Sequence, residues 1–170
     1  ETGEQLGQEA VRVARGLTTR APAKPSLKYS LDTMNFDLRW DAGKVMPEVE
    51  KRVDARTAGY YRRSLVSPVP CPVMALLITD EIALMGMPGE PFVEFGINFR
   101  ERAPVPDAFF VGYANGYNGY FPTLRAAVEG GYGANSLTTR TEVGAGEAMV
   151  NHALVKLYHM LGKLRTVPSQ

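Results

Sequence analysis

The side chains whose types and spacing could do chemistry lie between Glu90 and Tyr132. Glu90 stands inside Pro88-Gly89-Glu90-Pro91. Proline fixes φ and glycine permits unusual φ, so this carboxylate is held in one direction. Tyr120 closes a tandem Asn-Gly-Tyr repeat, Asn115 to Tyr117 and Asn118 to Tyr120, and Gly130-Gly131-Tyr132 follows. A free phenol titrates at about 10 and binds a metal best as phenolate, so Tyr120 needs a cation beside it to act as a ligand. On residue types alone, alternatives stay open. Glu90 is a pre-aimed metal ligand, or a carboxylate favoured by ~0.3–1 kcal/mol at a helix N-terminus. Tyr120 is a ligand, or one of several rings, with Tyr113 and Tyr117, that pin a Gly/Asn loop. Asn115 suits a turn with left-handed φ better than a donor that orients a ligand.

Other candidates are weaker. His152 and His159 lie about two turns and ~10 Å apart on one helix, too far for one zinc ion with bonds of about 2.0–2.1 Å. Lys156 stands between them on the same face and repels a cation, so both read as surface or boundary residues. Cys71 is the single cysteine. It permits no intrachain disulfide and no thiolate zinc site, and between Pro70 and Pro72 it reads as a small buried hydrophobe. No nucleophile elbow or triad surrounds Cys71 or any serine.

Elements must position these groups, and periodicity assigns them. Thr2 to Gly16 reads as a helix with Leu6, Ala10, Val13 and Leu17 at helical spacing, and Thr2 with Gln5 fits a capping box. After the rigid loop Ala21 to Ser26, residues Leu27 to Trp40 alternate with period two. The phase slips at Asp32-Thr33, where a bulge or turn is expected. Pro47 to Asp54 and Ala55 to Leu65 read as amphipathic helices, and Arg52, Arg56, Arg62 and Arg63 as their solvated face. The prolines of Ser67 to Pro72 argue against a central strand. Val73 to Ile78 and Ile82 to Met87 are apolar strands, followed by a helix from Pro91 to about Arg100. Ala108 to Tyr113 is a buried strand, and loops after such strands gather ligand-binding groups in open α/β folds. Thr123 to Val128 is a short helix, Ala134 to Val143 a polar loop, and Gly146 to Leu164 the clearest helix. The fold class is α/β: a mixed sheet of about five strands with helices packed on its faces.

The ordered series Pro88-Gly89-Glu90, Asn115-Gly116-Tyr117-Asn118-Gly119-Tyr120, Gly130-Gly131-Tyr132 and Gly144-Ala145-Gly146-Glu147 resembles the later catalytic-domain segment of the neutral/alkaline (non-lysosomal) ceramidase family. The likeness runs from about Glu81 to Leu164. It implies a zinc cofactor, with Glu90 and Tyr120 as metal ligands and two histidines supplied from an upstream part of the same protein, and as partner that upstream part or an oligomer partner. It leaves Asn115, Tyr117 and Tyr132 as loop residues or residues that orient the ligands, and no residue assigned to catalysis. The implied substrate is a lipid amide of the sphingolipid type, with zinc polarising the amide carbonyl and activating a water. The chain would then be a single domain, the C-terminal portion of a larger zinc-amidase unit, inactive alone and leaving an apolar patch exposed or buried in an oligomer contact. Relatives carry glutamate after the Gly-Gly-Tyr tyrosine, where this chain has Gly133. The alternative is a non-catalytic α/β module whose Gly/Asn/Tyr loop meets a partner domain or a small ligand.

Bulk properties bound these readings. A chain of 170 residues, 45% apolar and 22% charged, is long enough for one real core. A formal charge of +1 makes no electrostatic case for nucleic acid. No apolar run reaches the ~20 residues of a membrane helix, and no signal peptide opens the chain. It begins at Glu1 rather than Met, as a processed or truncated product would. The resemblance leans towards a secreted or periplasmic location.

Overall fold

The computed structural model describes residues 1–164. Helix α1 (Thr2–Gly16) has the expected span, but Glu1 is its N-cap and no side chain caps it, so the Thr2–Gln5 box does not form. None of its residues is buried, and Leu6 and Leu17 lie open to solvent.

Strand β1 (Leu27–Phe36) is continuous, without the expected break at Asp32-Thr33. The slip in apolar phase is a change of face instead. Leu27, Tyr29 and Leu31 point to one side of the sheet and are exposed, whereas Met34 and Phe36 point to the other and join the core. Helices α2 (Ala42–Glu50) and α3 (Ala55–Ser64) start at Asp41 and Asp54, whose carboxylates accept backbone N–H groups of the first turn. Val45, Val49 and Leu65 form a satellite cluster with Trp40 and Tyr61.

Strand β2 (Val69–Ile78) corrects the reading of the proline-rich segment. It pairs antiparallel with β1 along its whole length, from Phe36↔Val69 to Leu27↔Ile78. Strand β3 (Ile82–Gly86) reaches only Met74–Ile78 on its other side. Pro70 and Pro72 therefore occupy a stretch of β2 with one neighbouring strand. The Pro70 carbonyl turns away from β1 and accepts Asn118 Nδ2 at 2.8 Å. At such positions a proline removes no ladder bond.

The chain continues through β4 (Glu90–Pro91), α4 (Val93–Arg102), β5 (Asp107–Val111), β6 (Tyr120–Phe121), α5 (Leu124–Glu129) and α6 (Ala145–Met160). The main sheet has the order β1-β2-β3-β5, and β3 and β5 run parallel because helix α4 crosses between them. The class is mixed α/β, with four strands in the main sheet rather than about five. β4 and β6 form a separate two-stranded parallel ladder.

Helices α4 and α6 pack on one face of the sheet. Cys71, Val73, Ala75, Leu77, Ala83 and Met85 are buried against Phe95 and Phe99 of α4 and Met149, Ala153 and Leu157 of α6. The opposite face is bare: Leu27, Tyr29, Leu31 and Phe109 are 66%, 73%, 55% and 54% exposed. Register places Leu76 and Leu84 between Tyr29 and Phe109 on that face. An exposed apolar patch of the kind anticipated from the sequence lies here. Among the described residues no helix is long and apolar enough to cross a membrane.

Candidate functional site

Strand β3 leads into the site through a tight turn. Met87 N–H donates to Val111 O at 3.0 Å, and Gly89 N–H turns back to Met87 O at 3.0 Å. The chain then pairs with the end of the Asn-Gly-Tyr loop, with Glu90↔Tyr120 and Pro91↔Phe121 as direct partners. Glu90 N–H donates to Gly119 O at 2.9 Å and Phe92 N–H to Phe121 O at 3.1 Å. Glycine is required on both sides: a Cβ on Gly89 would lie 2.2 Å from Gly119 O, and one on Gly119 2.4 Å from Thr138 O.

The helix-terminus alternative for Glu90 is thereby corrected. Helix α4 starts two residues beyond Pro91, with Phe92 as N-cap and Glu94 as the acid of its first turn. Glu90 is a strand residue, aimed by the ladder rather than by a helix dipole.

Tyrosines surround this carboxylate. Tyr117 Oη donates to Glu90 Oε1 at 2.8 Å. The Tyr113 ring stacks on that of Tyr117, with centroids 5.6 Å apart and planes 8° from parallel. Tyr132 meets Tyr120 edge-on at 5.4 Å, and Phe92 meets it at 6.4 Å. Partial burial pushes the Glu90 carboxyl up, but the Tyr120, Tyr113 and Tyr117 hydroxyls together hold it below the usual carboxylate range. The phenols shift the other way. Burial and the bond to Glu90 push Tyr117 up to about 12. The neighbouring Glu90 carboxylate, and then the Tyr132 hydroxyl, hold Tyr120 well above the ordinary phenol range.

The arrangement is an ionised carboxylate ringed by neutral phenols. Its chemistry suits a cation, which would replace the phenol protons as the partner of Glu90. Carboxylate oxygen is an accepted zinc donor, and Glu90 and Tyr120 face one another across a ladder only two residues long. Among the described residues no group of three or more His, Cys, Asp and Glu side chains is placed to hold a metal ion.

The remaining candidates fall elsewhere. Asn115 has φ of 63°, the left-handed region, and serves as a turn residue. His152 Nε2 lies 2.9 Å from Asp32 Oδ2, and Lys156 Nζ lies 3.1 Å from the same oxygen, tying α6 to β1. His159 is exposed. Cys71 is fully buried, its thiol raised to about 11 by desolvation, which leaves it unreactive. Gly133 has φ of 82°, and a Cβ there would come within 2.9 Å of Phe92 and 3.0 Å of Tyr120. A glutamate at this position would displace the rings beside Tyr120.

Two contributors escaped sequence reasoning. Tyr113 reads there as a ring pinning a loop, and its hydroxyl acts on Glu90; its spacing of four from Tyr117 is the available signal. Arg140 lies in the polar segment read as a loop, yet Thr139, Arg140 and Thr141 are all buried. That segment is bridged to the site by Gly119↔Thr139 and Tyr120↔Thr139 and to the start of the chain by Leu38↔Thr141.

No protein-family model matches this chain, and no curated protein matches it. Among solved structures, the neutral ceramidase from Pseudomonas aeruginosa is similar, with 23% identity and a TM-score of 0.48 over 61% of this chain. The chain spans 17% of the length of that protein. The likeness is a distant structural relationship, and it carries no statement about activity.

Proposed function

We propose that this chain supplies two ligands of the zinc site of an amide hydrolase that cleaves the N-acyl bond of ceramide or a related lipid amide. The observation that carries the reading is the direct pairing of Glu90 with Tyr120, with the Tyr117 hydroxyl hydrogen-bonded to the carboxylate. Bound zinc would polarise the amide carbonyl there. Glu90 would hold the ion through its ionised carboxylate. Tyr120 would join as phenolate, giving up the proton that Glu90 retains on it in the metal-free state. Tyr117 would keep Glu90 oriented by its 2.8 Å bond, and Tyr132 would flank Tyr120. A catalytic zinc normally has three protein ligands, so the histidines must come from another part of a larger unit. The bare apolar sheet face is consistent with a layer of that unit packing over it.

The test is zinc content by elemental mass spectrometry, on this chain and on the longest natural form of the protein, both purified without chelator. Stoichiometric zinc in the longer protein, lost together with lipid-amide hydrolysis in Glu90→Ala, is the expected result. No zinc in either, or near-normal turnover by Glu90→Ala, overturns the proposal. The bare sheet face also favours a second reading, a non-catalytic module that docks a partner domain; zinc-free protein in both forms would select it.

A further inference from the structure

Arg140 is a largely covered cation with no carboxylate partner among the described residues. Only 8% of it is exposed, and its backbone is fixed by the Arg39 N–H bond to Arg140 O at 2.8 Å. No carboxylate lies within ion-pair distance of its guanidinium among the described residues. Its side-chain hydrogen bond there is from Nη2 to Tyr60 Oη at 2.6 Å. A guanidinium has five N–H donors, so most of the fork has no protein acceptor. The rest of its environment is aromatic: the Tyr60 ring at 4.9 Å and the Tyr117 ring at 6.0 Å. Its unbonded nitrogens are not sealed off, for the one fully buried side-chain polar atom without a partner among the described residues is Glu147 Oε2, so an anion can reach them from solvent.

Its position connects this cation to the Glu90 site. Tyr117 gives its hydroxyl to Glu90 and its ring to Arg140. A Cβ built on Gly119, the residue before Tyr120, would lie 4.0 Å from Arg140 Nε. The site therefore has two poles, an anion at Glu90 and an unneutralised cation at Arg140, with Tyr117 touching both.

We infer that Arg140 is a carboxylate-binding residue of this site, so that the amide taken there carries a carboxylate beside the scissile bond, as an N-acyl amino acid does. A single guanidinium with ring faces around it matches one singly charged, planar acceptor bound by two parallel N–H···O bonds. The word amide rests on the zinc-amidase reading; the carboxylate does not.

The test compares binding of N-hexanoylglycine with that of its neutral counterpart, N-hexanoylglycinamide, by calorimetry on the full chain. Hydrogen bonds to a charged group contribute ~1.5–3 kcal/mol, so the acid should bind about 10-fold or more tightly than the amide. Arg140→Gln should abolish the preference, Arg140→Lys should retain part of it, and Glu90→Gln should leave it in place. The acid, and not the amide, should also shift the Arg140 Nε–H resonance of the unaltered chain, a readout that needs no variant to fold. Equal binding of the two probes, a preference that survives Arg140→Gln, or an unmoved Nε–H resonance overturns the inference; a folded Arg140→Gln chain with reduced Tm and unchanged preference would make Arg140 a strut between α3 and the tyrosine loop. Loss of zinc and hydrolysis with the acid preference intact would remove the amidase reading and leave the carboxylate site standing.

Discussion

At the scale of residues, the site is organised by what each proton costs its neighbour. Glu90 is held ionised by phenol hydroxyls, and burial together with the bond to Glu90 holds Tyr117 protonated. This has a consequence at alkaline pH. A free tyrosine loses its proton at about 10, while Tyr117 keeps it to about 12. Between those values the unfolded chain binds fewer protons than the folded one, so stability is full below pH ~10 and is lost as pH rises towards ~12. Tyrosinate absorbance should show a lagging fraction in the native protein, and that fraction should shrink by one tyrosine in Tyr117→Phe while Tyr120 keeps its own lag. Titration of Tyr117 at its ordinary value would mean that the hydroxyl does not bear on Glu90 in solution. The sequence made Glu90 and Tyr120 visible because prolines and glycines around them announce a fixed direction. It hid Arg140, because the surrounding Thr138-Thr139-Arg140-Thr141 has the composition of a solvated loop, and burial of such a stretch is decided by contacts with Trp40, Tyr60 and Gly119 far away in sequence.

At the scale of elements, the ladder between β4 and β6 is what brings carboxylate and phenol together, and it is short enough to depend on single atoms. Gly119 has φ of 78°, and a side chain there would meet Thr138 O at 2.4 Å. Gly119→Ala should therefore cost about 1–3 kcal/mol in stability, the scale of a strained non-glycine backbone. The same change should weaken whatever Glu90 and Tyr120 bind together, because Glu90 N–H takes its acceptor from Gly119 O. Denaturant unfolding measures the first effect and zinc retention by the longer protein the second; an unstrained Gly119→Ala would show that the ladder slides. Element boundaries were legible where local chemistry sets them. The span of α1 and the places of the short strands β3 and β5 follow from periodicity and turn residues, although β5, expected as buried, is an edge strand with Phe109 and Val111 exposed. The errors share one cause. Pro70 and Pro72 look incompatible with an inner strand, and the apparent slip in β1 looks like a bulge, until the neighbouring strands and the two unlike faces of the sheet are known. Glu90 looks like a helix cap until Tyr120 is seen to pair with it. Each of these depends on which element lies alongside, which one chain read in order does not state.

At the scale of the whole molecule, the two faces of the sheet give opposite predictions for the same kind of substitution. Leu77 is fully buried under the helices, and Leu31 on the bare face is 55% exposed. Leu77→Ala removes packed atoms and leaves a cavity, so it should cost about 2–5 kcal/mol. Leu31→Thr removes little packing and places a β-branched residue on a strand, so its cost should stay within about 0.5 kcal/mol, the range of surface changes. Both are read from urea unfolding, with the slope m checking that the two-state transition is unchanged. The pair discriminates because hydrophobicity alone treats the two leucines alike, and only the placement of α4 and α6 separates them. A cost for Leu31→Thr approaching that of Leu77→Ala would mean that the face is covered in solution. Dependence of that cost on protein concentration would then identify the cover as a second molecule, since only an intermolecular contact makes apparent stability vary with concentration. A small cost in this chain and a large one in a longer form of the protein would instead assign the cover to another part of that longer form.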